Sequence, residues 1–531
     1  MDNPLPPEIN LITLNCWGLK FNISKLREPR FREIARQLAQ ASPQPNIVCL
    51  QEVWAQSDYL AIRQETRHLL PHGKFYFSGA FGGGLAILSR WPIEEATMVP
   101  YVLSGRPTAF WRGDWYVGKG VACARIRLGG DAGEVLEVFN THTHAPYSSD
   151  KGDTYRVHRE AQAWQLAKLL RGAAERGHLV VAAGDFNMTP LSTAHRIITG
   201  GAPVQDVWRV LHPDSSLGCR ADDEIERARG RDVPTARFNV LENGVTSNGV
   251  FNTWRWTKSE RKKLGPGRPI IEIEPDVADP RGKRLDYIFA NTAARELEDG
   301  SIGGWVVREA KVGMLQRHPE LGCSLSDHFS VEATFVFHQT PKEGLGSLKW
   351  PLPPGINSSL SAFRHSLPRP LHADSVLDNS TTGGDAPEAT SPAGGAFLQL
   401  QTPTPSSNHY EGLLSGLASY KAREATQTKQ RTAHFFFWVA VTIACYIAVW
   451  FIPTHSDNFT AASNHGINFV LLLLGSLGLA AGCVDGLMAL LFFRGSEKRA
   501  LMEFEWELRN RKSLAAGEAP GATEEDIGVK Y

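Results

Sequence analysis

Several short apolar runs in this chain end on a carboxylate, an amide or an imidazole, the side chains that move protons and offer lone pairs to cations. Asn15 follows LITL, Glu52 follows IVCLQ, and Asn140 and His142 close VLEVFNTH. Asp185 and Asn187 follow LVVAAG, Asp286 lies in RLDYIF, and Asp327 and His328 lie in SLSDHF. The ends of strands are where open sheets collect reactive groups. A single acid after a strand is more often a helix cap or turn residue than a ligand, so the repetition is the signal. A zinc site would want clustered His or Cys, and no such spacing occurs.

The elements that must position these groups alternate from Glu8 to about Phe337 without an internal repeat. INLITLN, NIVCLQEV, GLAILSR, VACARIRL, VLEVFNTH, LVVAAGDFN, RLDYIFA and FSVEATFVF read as strands. RFREIARQLAQ, DYLAIRQETRHLL and TYRVHREAQAWQLAKLLRG read as helices, the last with Val157, Ala161, Trp164, Ala167 and Leu169 on one apolar face. That mixture implies a layered α/β or α+β domain. Residues 212–280, with ADDEIERARGRD and SERKKLGPGRP, read as long surface loops that either shape a site or are a dispensable insertion.

The chain has 531 residues, 42% hydrophobic and 21% charged, with 56 basic and 56 acidic side chains, which excludes wholesale disorder. Residues 1–340 hold 41 Lys and Arg against 39 Asp and Glu, and the remainder 15 against 17. A protein that captures nucleic acid through its phosphates shows a basic excess, so no nucleic-acid partner is expected. Seven cysteines without a CxxC pair read as reduced, buried thiols. The start, MDNPLPPEINLITLNCWG, lacks the basic and apolar regions of a secretory signal, so the N-terminal domain is expected in the cytosol.

The second part of the chain is organised differently. Residues 339–430 form an expected Pro/Ser-rich disordered linker, with ten prolines between positions 341 and 410. Residues 431–495 contain two apolar stretches, 435–452 and 467–493, each long enough to span a bilayer, and are expected to form a transmembrane hairpin. Lys421, Arg423, Lys429 and Arg431 precede the first span, and Arg494, Lys498 and Arg499 follow the second. The loop between them has neither Lys nor Arg, so both ends are expected on the cytoplasmic side of an intracellular membrane, the endoplasmic reticulum first. Those basic flanks also suggest activation by anionic phospholipid. Asn458-Phe459-Thr460 is a glycosylation sequon close to the bilayer. Asp485, an acid inside a span, is a candidate for headgroup or interhelix bonding. In the tail, residues 496–531, SEKRALMEFEWELRNRKS is a helix candidate.

Taken in order, LNCWG, QEVW, GLAILSR, NTHTHA, GDFN, LDYIF and SDHF resemble the deoxyribonuclease-I-like endonuclease/exonuclease/phosphatase superfamily over about residues 9–338. NTHTHAPY, the Gly-Lys-Gly before VACARI and the paired C-terminal spans are similar to the neutral sphingomyelinase and inositol phosphosphingolipid phospholipase C family. The resemblance implies that residues 1–338 form a four-layered α/β sandwich, two mixed β-sheets packed together with helices outside. It also implies a Mg²⁺-dependent phosphodiesterase of the phospholipase C type, releasing ceramide and a phosphorylated headgroup from a membrane phosphosphingolipid. Sphingomyelin and inositol phosphoceramides both remain open as substrate, with the long Pro-rich linker leaning toward the inositol lipids.

On that reading Glu52 is the principal metal ligand and Asn15 its partner, since Mg²⁺ takes oxygen ligands and few carboxylates. Asp327 is placed with them. By carry-over from GDFN, Asp185 and Asn187 polarise the attacking water or bind phosphate. His328 of SDHF is the expected general base, with Asp286 or Asp327 fixing its tautomer. His142 is expected to donate to a phosphoryl oxygen or the leaving alkoxide, or simply to bind phosphate. Lys119 is equally a headgroup contact and a turn lysine, and His144 is left out. The alternatives are a phosphoinositide phosphatase or a nuclease on the same fold, and a non-catalytic scaffold. Free phosphate as product would mark the first, and a phosphorylated headgroup a diesterase.

Overall fold

In β1 (Glu8–Asn15), Ile9 and Leu11 point to one side and Ile12 and Leu14 to the other, and all four are buried. The same holds for Ile47 and Cys49 against Val48 and Leu50 in β2 (Ile47–Gln51). Strands covered on both faces read as continuous apolar runs, and that is how these appear in the sequence. The odd-numbered set packs against Ala122, Ala124, Leu136, Val138, Val181, Ala183 and Ile288 from a second sheet. The even-numbered set packs against Phe31, Ile34 and Leu38 of α1 (Arg27–Ala39) and Ile62 of α2 (Gln56–Thr66). Truncating one such side chain to Ala costs about 2–5 kcal/mol, so both faces of the sheet contribute to stability.

The structure is a computed structural model that describes residues 4–20, 23–109, 112–131, 133–147, 155–340, 407–452 and 461–521. The first sheet adds β3 (His72–Tyr76), β4 (Leu85–Ser89), β11 (Arg295–Glu296), β12 (Ile302–Gly313) and β13 (Ser330–Thr340), in the order β11-β12-β13-β1-β2-β4-β3. The second contains β5 (Ile93–Pro100), β6 (Gly120–Arg127), β7 (Val135–His142), β8 (Leu179–Asp185), β9 (Gln205–Asp206) and β10 (Asp286–Ala290), in the order β5-β6-β7-β8-β10-β9. Each sheet has one parallel pair, β1 with β2 and β7 with β8, and is otherwise antiparallel. This is the expected sandwich of two mixed sheets with helices outside.

The fully buried Asn140 ties the sheets together. Its amide donates to the Leu50 and Ala86 carbonyls, each at 2.9 Å, and its oxygen accepts from Gln51 Nε2 at 2.7 Å. In α3 (Arg156–Glu175) the buried apolar positions are Val157, Ala163, Leu166, Ala167, Leu170 and Ala173, while Ala161, Trp164 and Leu169 are only half-buried. The core stripe is therefore rotated from the expected one, because buried Gln162 and Glu160 displace part of it.

Residues 212–280 are not plain surface loops. After α4 (Thr193–Gly201) they follow α5 (Val207–Leu211) and contain α6 (Glu224–Ala228), α7 (Ala236–Leu241) and α8 (Lys258–Arg261). Asp206, Asp223, Thr235 and Thr257 cap the last four through side-chain oxygens that accept from backbone N–H groups. Asn239, Thr246, Ser247 and Asn252 are buried, and Asn252 donates to the Ser326 carbonyl at 3.1 Å.

The chain divides into two compact units, one of Met1–Tyr101, Val117–Asp153 and Gln162–Thr404, the other of Val102–Tyr116, Thr154–Ala161 and Pro405–Tyr531. The second contains α9 (Ser407–Phe451), α10 (Ala461–Leu487), a π-helical segment Met488–Glu497 and α11 (Lys498–Ala515). α9 begins inside the span read as linker, so positions 407–430 are helical, while positions 341–406 and the sequon Asn458-Phe459-Thr460 lie outside the described residues. α9 and the run from α10 to α11 are long and apolar enough to cross a membrane, and their apolar windows are mostly unburied. They pack closely: a Cβ on Gly478 would come within 1.9 Å of the Trp438 ring, and Thr442 Oγ1 donates to the Gly475 carbonyl at 3.0 Å. Asp485 bonds across the hairpin to Arg431 and, at 2.6 Å, to His434, so of its two expected roles the interhelix bond is observed. The tail helix buries Leu501, Phe504 and Leu508.

Candidate active site

Parallel pairing brings the C-terminal ends of β1 and β2, and of β7 and β8, to matching heights, and antiparallel β10 and β13 add their N-terminal ends. Asn15, Glu52, His142, Asp185, Asp286 and His328 thereby meet at one end of the sandwich. Asn15 bridges the sheets, its amide donating to Glu52 Oε1 at 3.2 Å and to Asp185 Oδ2 at 3.0 Å. Asp185 Oδ1 accepts from the Asn187 backbone N–H at 2.9 Å, and Asn187 Nδ2 donates to the Thr143 carbonyl at 3.3 Å. His328 Nδ1 lies 2.8 Å from Asp286 Oδ2, and its Nε2 lies 3.9 Å from Asp185 Oδ2. His142 Nε2 is 3.5 Å from that same Asp185 oxygen.

Asp286, not Asp327, is therefore the residue that orients His328. Asp327 is half-buried, accepts weakly from Ser326 Oγ at 3.5 Å, and acts electrostatically on Glu52. Asn140 takes no place in the cluster.

Holding this many polar groups under the surface has electrostatic consequences. Burial, reinforced by Asp327, pushes the Glu52 carboxyl up to about 7. Burial also raises Asp185 to about 6, with His328 opposing and Asp286 adding to the shift. Burial disfavours charge on His328, but the Asp286 and Asp185 carboxylates outweigh it and hold the imidazole well above its ordinary range. His142 moves the other way, held neutral by burial and by the Lys119 ammonium.

Backbone shape contributes as well. Trp17, Glu52 and Asn187 adopt left-handed φ values of 48°, 55° and 46°, which side chains tolerate at a cost and which collect where geometry is over-determined. Gly184 has φ 146°, and a Cβ there would sit 1.9 Å from the Thr141 carbonyl oxygen. Only glycine lets β7 and β8 approach closely enough to set His142 opposite Asp185.

Two residues were not assigned from the sequence. Lys119 is buried, with Nζ 3.0 Å from the Thr143 carbonyl and 3.4 Å from His142 Nε2, and the flanking Gly-Lys-Gly was its one sequence signal. Arg30 is fully buried and donates to the carbonyls of Cys16 at 3.1 Å, Trp17 at 2.8 Å and Leu325 at 2.6 Å, tying the loop after β1 to the segment before His328. Nothing in its helical context marks it.

Asp185, Asp286 and His328 offer ligand atoms that all lie within 4.8 Å of one another, a group able to coordinate a divalent metal. Glu52 Oε2 and Asp286 Oδ1 are buried with no hydrogen-bond partner. Orphaned carboxylate oxygens in an oxygen-rich setting fit a hard divalent cation.

Beside this cluster lies a second buried ionic group. Asp206 accepts from both terminal nitrogens of Arg284 at 2.8 Å, from His195 Nε2 at 3.0 Å, and from the backbone N–H groups of Trp208 and Arg209. Burial opposes its ionisation, yet Arg284 and His195 prevail and hold it well below the usual carboxylate range.

A sequence profile described as the Endonuclease/Exonuclease/phosphatase family matches residues 12–328, which includes Asn15, Glu52, His142, Asp185, Asp286 and His328. The chain is 40% identical over 335 residues to an inositol phosphosphingolipids phospholipase C of Schizosaccharomyces pombe, covering 63% of this chain and 70% of that protein. It is 28% identical over 528 residues to the protein of the same name from Saccharomyces cerevisiae, covering 96% of this chain and 91% of that one. It is 29% identical over 348 residues to human sphingomyelin phosphodiesterase 2, covering 65% and 68%. Sequence likeness across the whole site-bearing region, joined to a buried carboxylate and imidazole cluster that can take a metal, makes this chain a phosphodiester hydrolase belonging to the endonuclease/exonuclease/phosphatase family.

Proposed function

We propose that the protein is a membrane-anchored, Mg²⁺-dependent phospholipase C that hydrolyses phosphosphingolipids to ceramide and a phosphorylated headgroup, with inositol phosphosphingolipids as the preferred substrate. The single observation that carries this reading is the match to an inositol phosphosphingolipids phospholipase C over almost the full length of both chains, membrane-type helices included. Tethering by α9 and α10 supports a substrate that never leaves the bilayer, because it raises the effective concentration of enzyme at the surface.

Glu52 and Asn15, with Asp327 beside them, would hold the cation in preference to the Asp185, Asp286 and His328 group, because Glu52 Oε2 has no partner while His328 and Asp286 are engaged with each other. Bound there, Mg²⁺ would neutralise phosphate charge and polarise the phosphoryl group. With a cation bound beside it, His328 would lose the charge that Asp286 and Asp185 favour in the metal-free site, and its neutral Nε2 would accept the proton of the attacking water while Asp286 fixes its Nδ1 and stabilises the imidazolium that forms. The second carboxylate, Asp185, faces both histidines, and with Asn187 it orients the water or a phosphoryl oxygen. His142, held neutral, keeps one ring N–H, which it would offer as a hydrogen-bond donor to a phosphoryl oxygen or to the ceramide oxygen, whose proton on departure comes from solvent. The base and the donor both face Asp185 Oδ2, at 3.9 and 3.5 Å.

The chain is proposed to face the cytoplasm of an intracellular membrane, the endoplasmic reticulum first, with anionic phospholipids as activators through the basic flanks Lys421–Arg431 and Arg494–Arg499. The test uses full-length protein in detergent with Mg²⁺ and equal amounts of inositol phosphoceramide and sphingomyelin. Ceramide and both headgroup phosphates are followed by mass spectrometry against an EDTA control. The expected result is EDTA-sensitive release of ceramide and inositol phosphate. Ceramide with phosphocholine alone would reverse the headgroup preference, and no ceramide from either lipid would overturn the proposal.

A further inference from the structure

The two ends of the sandwich differ in what they expose. At the site end, the loops after β1, between β3 and β4, and between β12 and β13 expose Ile23, Leu26, Phe77, Phe81 and Leu315, with Phe77 65% and Phe81 59% accessible. Among the described residues, the turns at the opposite end, positions 41–46, 90–92, 128–134, 176–178 and 297–301, expose no large apolar side chain. Charge follows the same division. Residues 16–27, 77–84 and 314–319 contain Lys20, Lys25, Arg27 and Arg317, with Glu28 and Glu320 at their borders, whereas the far-end turns carry Asp131, Glu134, Glu298 and Asp299 against Arg90 and Arg176. Apolar tips among basic side chains on one face are the composition that suits a lipid interface with anionic headgroups, and they are costly in contact with water alone.

The β3–β4 loop, FSGAFGGG, is also fastened to the site. Val53 N–H, next to Glu52, donates to the Gly84 carbonyl at 3.0 Å, and Gly118 N–H, next to Lys119, donates to the Gly82 carbonyl at 3.0 Å. Gly79 pairs with Val117 in an isolated bridge. Gly79 and Gly84 need positive φ, 56° and 66°, and a Cβ on Gly84 would come 3.1 Å from the Trp54 ring. The loop that presents Phe77 and Phe81 is thus held between the neighbours of Glu52 and of Lys119.

We propose that these site-end loops insert their apolar tips into the bilayer surface and so deliver the lipid phosphodiester to the site. A lipid surface is the occupant to choose because the same chain carries its own pair of membrane-crossing helices and because the rim is basic. This inference rests on the reading of the substrate as a membrane lipid, so its test separates the two.

The first measurement needs no turnover. Full-length protein in a Cys483→Ser background, which removes an exposed thiol, carries an environment-sensitive label at Phe77→Cys or, as control, at Asp131→Cys. It is placed in phosphatidylcholine nanodiscs with a minority of phosphatidylserine. The label at position 77 should be blue-shifted and protected from iodide quenching, while that at 131 should quench like free dye. Equal quenching at both positions would overturn the proposal whatever the substrate. The second compares rates for Ile23→Ser/Phe77→Ser on inositol phosphoceramide in vesicles and on a dispersed short-chain analogue. A loss of roughly tenfold or more on vesicles with the dispersed rate retained is expected. Equal loss on both, or no loss on either, would overturn it. Failure of the wild type to turn over any phosphosphingolipid would count against the substrate reading and leave the label result to decide the rim.

Discussion

Two buried ionic clusters, one drawing on Arg284 and the other on Asp286 two residues later, follow opposite rules. Asp206, clamped by Arg284, accepts five hydrogen bonds and keeps its charge readily. Glu52, in the cluster that Asp286 helps to form, has one oxygen bonded to Asn15 and the other bonded to nothing, and burial pushes it toward neutrality. In the first the carboxylate is fully satisfied, although Arg284 Nε and His195 Nδ1 beside it have no partner. The second is left incomplete for something the chain does not supply, and under-satisfied buried polar groups of that kind mark function more reliably than charge itself.

The sharpest way to break this contrast is Glu52→Gln. Activity should fall by roughly 10²- to 10³-fold or more, because a charge-stabilising contact is lost, while folding is retained since a neutral isostere fits the site. Substantial residual turnover would remove Glu52 from the metal site. Next in size, Arg284→Met should strand Asp206 as a buried, unpaired charge and cost about 3–5 kcal/mol in denaturant titration. Asp286→Asn, two residues on, should abolish turnover at little cost in stability; if both variants are equally unstable, the distinction between the clusters is void.

The pH dependence of the metal-free protein offers a third test, with opposite signs for the two carboxylates. Glu52 is raised in the fold, so its contribution is present below its ordinary pKa of 4.5 and lost as pH rises through about 7. Asp206 is depressed, so its contribution is present above 3.8 and lost only as pH falls well below that. In EDTA, the thermal midpoint of the wild type should drop between pH 5 and 8. Glu52→Gln should flatten that decline by a few degrees, and Mg²⁺ should restore more of the wild-type midpoint at the alkaline end. An unchanged slope in the variant would show that Glu52 is not the group responsible. The smallest effect is expected from His195→Gln, which trims one hydrogen bond from a well-satisfied acid and should cost about 1 kcal/mol without changing turnover.

Much of the sandwich could be read from the sequence because strands such as β1, β2 and β8 are buried on both faces and stand out as apolar runs with polar ends. β5 was not visible, since only half-buried and exposed residues line it, and β12 alternates only as far as Val307, where its register shifts. The four capped helices around residues 207–261 have at most six residues each, too few for an amphipathic period to emerge. Within the site, residue types at strand ends indicated which side chains converge but not how they pair. That Asp286 rather than Asp327 meets His328 depends on which sheet each acid extends from. The Asp206–Arg284 pair spans 78 positions and left no local trace.

Gly184 carries a further consequence. Its missing side chain is what lets two neighbouring strands close to the distance at which His142 and Asp185 share a neighbourhood. In a saturation library scored for growth or turnover, position 184 should therefore tolerate no replacement, alanine included. Its profile should match those of the reactive groups themselves, a blank where chemistry is done by the absence of atoms.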